Sequence, residues 1–252
     1  MTIDARLLRT TIVVSLGIYV VLGLPDGVIG TIWPTLRDDS NRTDASFGLL
    51  IIGFSSGYTI ASLASGRVTA RLGVGRPLQL ATAVSSVGLC VIGFAPGWWT
   101  VIVGFAVLGL GDGTIDASLN AWVALTQGPR TMGLLHAAYG IGATIGPLVA
   151  TAFITGADSW RGPFLVILVL EVLAVAGATH VRRGLDEAPT HPALTAAGEP
   201  ISPPARLMPL MVLWFAVYVA AEVTVGQWSF TLFTEDRGIG EGLAGALVAA
   251  YW

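Results

Sequence analysis

The chain has 252 residues, 54% of them hydrophobic and 12% charged, with a mean hydropathy of +0.74 and a formal net charge of −3. Soluble domains carry about 25% charged residues, so this composition excludes a water-soluble globular protein, and without a basic run no nucleic-acid partner is expected. The single cysteine, Cys90, cannot form an internal disulfide and, lying in an apolar stretch, reads as a small core residue.

A helix needs about 20 mostly apolar residues to cross a bilayer core. The first such stretch is 11–33, preceded by Arg6 and Arg9. It is longer than the roughly 7–15-residue apolar core of a signal peptide, so it reads as a first transmembrane helix. Further spans follow at 47–66, 78–96, 98–125, 132–155, 161–180 and 207–233, and an eighth starts near Leu243 and is cut off at Trp252. Turn chemistry separates them, as in Arg37-Asp38-Asp39-Ser40-Asn41-Arg42, Ala95-Pro96-Gly97 and Gln127-Gly128-Pro129-Arg130. With the N-terminus inside, Arg6, Arg9, Arg67, Arg71, Arg76, Arg130, Arg182, Arg183 and Arg206 fall on the cytoplasmic side, and only Arg37, Arg42, Arg161 and Arg237 fall outside. That bias fits the positive-inside rule.

Between spans six and seven the polar stretch with Pro189, Pro192, Pro200, Pro203 and Pro204 reads as a flexible cytoplasmic linker. The expected organisation is therefore a six-helix transmembrane bundle over 1–180, a linker over 181–206, and the start of a second bundle over 207–252. A helix ending in mid-bilayer would leave backbone carbonyls without partners, so the sequence reads as truncated within the eighth helix.

Polar groups inside spans cost about 2.5–3.5 kcal/mol at a helix centre and mark pathways. Span one carries Asp26 in Gly23-Leu24-Pro25-Asp26-Gly27, where the proline removes a backbone donor and a broken helix is expected. The alternative is an aspartate paired to a neighbouring helix for packing alone. Span four carries Asp112, Asp116 and Asn120 at i, i+4 and i+8, a spacing that places them on one face. Gly104, Gly109, Gly111 and Gly113 surround them and admit close helix approach. Span five offers His136 and Tyr139, with interhelical hydrogen bonding as the plainer role for the histidine. Span seven adds Glu222, Gln227 and Trp228, the last two pairing an amide with a stacking face suited to a sugar, or, for the tryptophan, to helix packing. Glu171 in span six has no companion nearby in sequence. No metal-ligand spacing and no nucleophile motif occurs, so neither an enzyme nor a metal or other cofactor is expected.

These residues resemble the major facilitator superfamily. Gly66, Arg67, Arg71 and Gly73, followed by Arg76, stand where that family carries its Gly-x-x-x-Asp-Arg-x-Gly gating loop, with Ala70 in place of the aspartate. Leu108-Gly109-Leu110-Gly111 with Asp116 and Asn120 is similar to the fucose-permease-like branch of proton-coupled sugar symporters. That resemblance implies an all-α, multi-pass fold of two six-helix bundles around a central cavity. It also implies proton coupling through Asp26 and Asp116 and a solute contact from Asn120, to which the polar groups of spans five and seven, His136, Tyr139, Glu222, Gln227 and Trp228, are added as candidate solute contacts. Gly133, Gly142 and Gly146-Pro147 have the spacing of the superfamily's antiporter motif and serve helix packing, so export is the alternative direction. The implied partners are a small polar solute, protons and lipid, and the implied setting is a monomer in a bacterial inner membrane. A non-transporting truncated membrane protein, either a decayed gene product or a subunit that docks to a partner, is the other alternative.

Overall fold

The computed structural model describes residues 5–187 and 204–252. Lipid offers the backbone no hydrogen-bond partners, so a spanning segment must satisfy its own amides, and the helix is how a single segment does so. The described residues form eight helices: α1 (Ala5–Asp39), α2 (Phe47–Leu72), α3 (Gly75–Gly93), α4 (Trp98–Thr126), α5 (Pro129–Ala157), α6 (Gly162–Glu187), α7 (Met208–Thr231) and α8 (Glu241–Tyr251). Seven are long and apolar enough to cross a membrane, the seventh continuing through a π-helical turn at Leu232–Asp236. The chain is thus an all-α, multi-pass membrane protein. At about 1.5 Å per residue, the 35 residues of α1 make a rod of about 52 Å, well beyond a hydrocarbon core of about 30 Å.

Two expected boundaries move. The helix of span six runs on past 180 to Glu187; the rest of the proposed linker, 188–203, lies outside the described residues. Span one is not broken at Pro25, for α1 is continuous through it. The reason lies in its neighbour. A Cβ at Gly142 of α5 would run into the Val20 carbonyl and Gly23, and one at Gly146 into the Leu24 carbonyl and Gly27. Glycine faces glycine on both sides of the proline, and this backbone-to-backbone contact, of the kind small residues allow in membranes, supports α1 where its own hydrogen bonding is weakest.

The same device joins α4 to two helices. Gly109 and Gly113 meet the backbone of Phe54 and Tyr58 in α2, while Gly104 and Gly111 meet Ile92 and Ser85 in α3. Gly133 has no atom near where its Cβ would be, so it takes no part in packing among the described residues. Cys90 is exposed rather than in the core, on the side of α3 that also exposes Val87 and Phe94.

Apolar packing falls into two clusters. One gathers Trp33, Phe47, Trp98, Phe105 and Phe230, and the other gathers Tyr19, Leu78, Leu119, Trp122 and Leu135. Above the first, at the end of α1, the Arg37 guanidinium reaches Asp38 (2.9 Å), Asp44 (2.8 Å) and Glu235 (2.7 Å). Glu235 belongs to the π-helical turn after α7, so this ion-pair cluster ties the end of α1 to the end of α7.

Candidate functional site

Of the polar side chains that the sequence singles out, Asp26, Tyr139, Gln227, Asp116 and Asn120 form two hydrogen-bonded centres. Asp26 of α1 accepts a hydrogen bond at Oδ2 from the hydroxyl of Tyr139 in α5. Its backbone carbonyl accepts a second from Nε2 of Gln227 in α7, at 2.9 Å. One residue beside the proline thus joins three helices. Asp116 of α4 forms the second centre. Its Oδ1 accepts from the Tyr19 hydroxyl at 2.7 Å and from Asn120 Nδ2 at 2.9 Å. Tyr58 of α2 faces the same carboxylate. Each aspartate is therefore held by a phenol from another helix: α5 serves α1, and α1 serves α4.

Asp116 and Asn120 are half-buried, whereas Asp112 is buried. Asp112 turns toward α3, where its Oδ1 takes the Ser85 hydroxyl at 2.6 Å. The single face expected for the three residues is thus split. With 3.6 residues per turn, positions i and i+8 differ by about 80° around the helix, enough to carry the two ends of the stripe to different neighbours. Asp112 leaves the site for the helix interface.

His136 is exposed on α5, its ring meeting Tyr19 edge-on with centroids 6.4 Å apart. It therefore borders the Asp116 centre without bonding to it. Glu222 is half-buried on α7, beside Tyr218 and within electrostatic reach of Asp26, while its backbone carbonyl accepts from Tyr251 of α8. Gln227 is buried, and its Oε1 has no hydrogen-bond partner. A buried amide carbonyl without a donor costs about 1–3 kcal/mol. Trp228 stands apart from these groups. It meets Phe47 edge-on at 5.2 Å and packs on the Trp33 cluster, which favours its packing role over the solute contact.

The loop between α2 and α3 owes its form to a residue that the sequence reading passed over. Asp186, at the end of α6, accepts the backbone N–H groups of Val74 and Gly75 at 2.9 Å each. It thereby caps the start of α3, where the first amides of a helix have no partners of their own. Gly73 has φ of +76°, and a Cβ there would collide with the Asp186 carboxylate. Glycine is thus required at 73 on two counts. Gly66, Arg67, Arg71 and Arg76 are exposed at the same end, and among the described residues the three arginines form no ion pair.

Polar groups from several spans thus meet within the packed helices, and the sequence model of the Major Facilitator Superfamily matches residues 15–252. The chain belongs to this superfamily. It is 22% identical over 98% of its length to bypass of stop codon protein 6 of Saccharomyces cerevisiae, covering 55% of that protein. It is 28% identical over 67% of its length to the hexuronate transporter of Bacillus subtilis, covering 42% of it. It is 29% identical over 68% of its length to the thioclapurine efflux transporter of Claviceps purpurea, covering 32% of it. The chain spans about half the length of the curated relatives it matches.

Tyr19, Tyr58 and Asp186, and the ion pair of Arg37 with Glu235, are contacts that sequence reasoning missed. A signal existed for Glu235, an acidic group one turn beyond span seven, but nothing in sequence tied it to Arg37.

Proposed function

We propose that this chain acts in a proton-coupled transporter for a small polar solute, sugar-like by preference, with an N-terminus on the cytoplasmic side of a bacterial inner membrane. The observation that carries the reading is the pair of aspartate–tyrosine contacts, Asp26 with Tyr139 and Asp116 with Tyr19, placed on different helices deep in the bundle. A carboxyl group there can take up and release a proton while its phenol partner holds it in place. Asn120 and the free Oε1 of Gln227 supply an amide donor and an acceptor of the kind that a hydroxyl-rich solute needs. His136 and Glu222 border the same region. In the proposed cycle the first six helices and the second bundle rock about this centre. Asp116 and Asp26 carry the proton, while Gly66, Arg67, Arg71, Gly73 and Arg76 form the cytoplasmic gating loop.

Resemblance to a hexuronate transporter favours sugar-like solutes. Resemblance to an efflux transporter, together with the Gly142–Gly146–Pro147 packing on α1, favours an exporter as the second reading.

The test uses the intact protein in sealed vesicles with an imposed pH gradient. Asp116→Asn is expected to abolish uphill accumulation of the solute while preserving exchange of labelled for unlabelled solute across the membrane. Uphill accumulation unchanged by Asp116→Asn would refute coupling through this carboxylate. Extrusion of a hydrophobic dye driven by the same gradient, with no sugar uptake, would establish the exporter.

A further inference from the structure

The groove between the first turns of α1 and α5 has no part in the transport reading. Deeper in, Gly142 meets Val20 and Gly146 meets Leu24, so the two helices run parallel. The same step back along each, from 142 to 130 and from 20 to 8, sets Arg130 level with Leu8, and Leu134 level with Ile12. At that level the helices enclose a groove of about 470 Å³ whose lining includes Leu8, Arg9, Ile12, Val13, Arg130 and Leu134. Small-molecule sites are of this size, about 300–1,000 Å³.

The chemistry of the groove changes with depth, and in the same way on both walls. Arg9 and Arg130 are exposed and stand just before the apolar runs that begin at 11 and 132. That is where a spanning helix passes from the headgroups into hydrocarbon. One turn further in, about 6 Å at about 1.5 Å per residue, each helix presents an aliphatic side chain. Val13 is 61% exposed and Leu134 is 49% exposed. Leu8 and Ile12, half-buried against the second apolar cluster, form the floor. Neither arginine forms an ion pair among the described residues, and none of the described residues lining the groove is acidic.

Arginines that merely orient a chain need charge alone. Two of them on one groove, each above an exposed aliphatic group, fit a ligand that is anionic at one end and apolar at the other. The planar fork of a guanidinium suits phosphate in particular. A soluble anion would leave Val13 and Leu134 unused, and a zwitterionic headgroup would bring its own cation to the arginines. We propose that this groove binds one phospholipid with an anionic headgroup, its phosphate between Arg9 and Arg130 and a chain along Ile12, Val13 and Leu134. The lipid bridges the ends of the two helices that carry Asp26 and Tyr139 further along. The site does not depend on the solute or on the direction of transport.

The test is native mass spectrometry of the intact protein, released from detergent containing equimolar dioleoyl phosphatidylglycerol and dioleoyl phosphatidylcholine. The readout is the ratio of the two lipids retained. A basic residue near an anionic surface is worth about 1 kcal/mol, or about fivefold. The parent is therefore expected to favour phosphatidylglycerol by about twentyfold, and Arg9→Gln and Arg130→Gln each to cut that preference about fivefold. Arg183 is exposed near the end of α6, beside Gly184, which packs on Thr11 at the same end of the molecule. It does not line the groove, so Arg183→Gln is expected to leave the preference as it was. Equal retention of the two lipids, or a preference unchanged in either Arg9→Gln or Arg130→Gln, overturns the site. A matching loss in Arg183→Gln overturns it as well, by showing diffuse attraction to charge. Displacement of the lipid by glycerol 3-phosphate, which has the anion without the chains, would overturn the lipid as occupant in favour of a soluble anion.

Discussion

The hydroxyl of Tyr19 and the amide of Asn120 donate to one and the same oxygen, Oδ1 of Asp116, at 2.7 and 2.9 Å. Tyr19 is wholly buried and comes from α1, whereas Asn120 lies one turn along α4 from the carboxylate it serves. The interhelical bond is thus the one that registers α1 against α4. Tyr19→Phe keeps the ring and its edge contact with His136 but removes this donor. Hydrogen bonds to charged groups are worth about 1.5–3 kcal/mol. Proton-driven uptake, read as an initial rate in vesicles, is expected to fall about tenfold or more at unchanged protein level.

Gly133 and Gly142 share a sequence motif but not a situation. The first has open space around it, and the second lies against the Val20 carbonyl and Gly23. Gly142→Val is expected to force α5 away from α1 and to destabilise by about 1–3 kcal/mol, as overpacking does. Gly133→Ala is expected to be neutral or slightly stabilising, since alanine is the better helix former by about 1 kcal/mol. Thermal unfolding of the two variants in detergent compares them directly.

Glu171 of α6 is buried, and its Oε1 has no hydrogen-bond partner. Such a group opposes folding unless it serves a purpose, and replacing it by an apolar side chain of similar size removes the cost. Glu171→Met is expected to raise stability by about 1–3 kcal/mol. The measurement is the apparent melting temperature, taken together with uptake. A stabilised variant that still transports would mark Glu171 as dispensable to the cycle, and a stabilised but inactive one would give it a role.

Asp186 and Gly73 form one device from two distant parts of the chain. Asp186→Ala removes the acceptor for two amides at the start of α3 and is expected to cost about 1 kcal/mol, within the range of lost helix caps. Gly73→Ala meets both a left-handed backbone and the Asp186 carboxylate. The double variant Gly73→Ala/Asp186→Ala is therefore expected to lose less than the sum of its parts, as residues in contact do. Chemical denaturation of the four proteins of the cycle tests this.

Spans were legible because bilayer thickness sets their length, so an apolar run of about 20 residues carries its own meaning. Asp26, Asp116 and Glu222 stood out as candidates, since a carboxyl group in such a run is costly and needs a partner or a cavity. Tyr19 and Tyr58 did not, because a tyrosine in an apolar helix raises no alarm; its hydroxyl is a small part of a large ring. Asp112 misled, because a spacing of four residues suggests a common face that slow rotation around the helix undoes. Arg37 and Glu235 lie 198 residues apart, and neither loop carries a periodic signal that would join them. Trp228 was legible as a large aromatic ring, but only its place against Phe47 separates packing from binding.

The bond between Tyr139 and Asp26 spans 113 residues of sequence. At roughly 5–20 residues per second, a ribosome needs roughly 6–23 seconds to move from one to the other. During that interval α1 has entered the membrane with its carboxyl group and its proline exposed, before the helix that will cover both has been made. The flanking apolar residues of α1 must hold it in place unaided, against an insertion penalty of about 3 kcal/mol for the aspartate. Substitutions that make α1 less greasy far from the site should therefore reduce how much protein reaches the membrane at all, with the molecules that do arrive working normally. Such a defect would be one of biogenesis, visible in pulse-chase labelling and invisible in the purified protein.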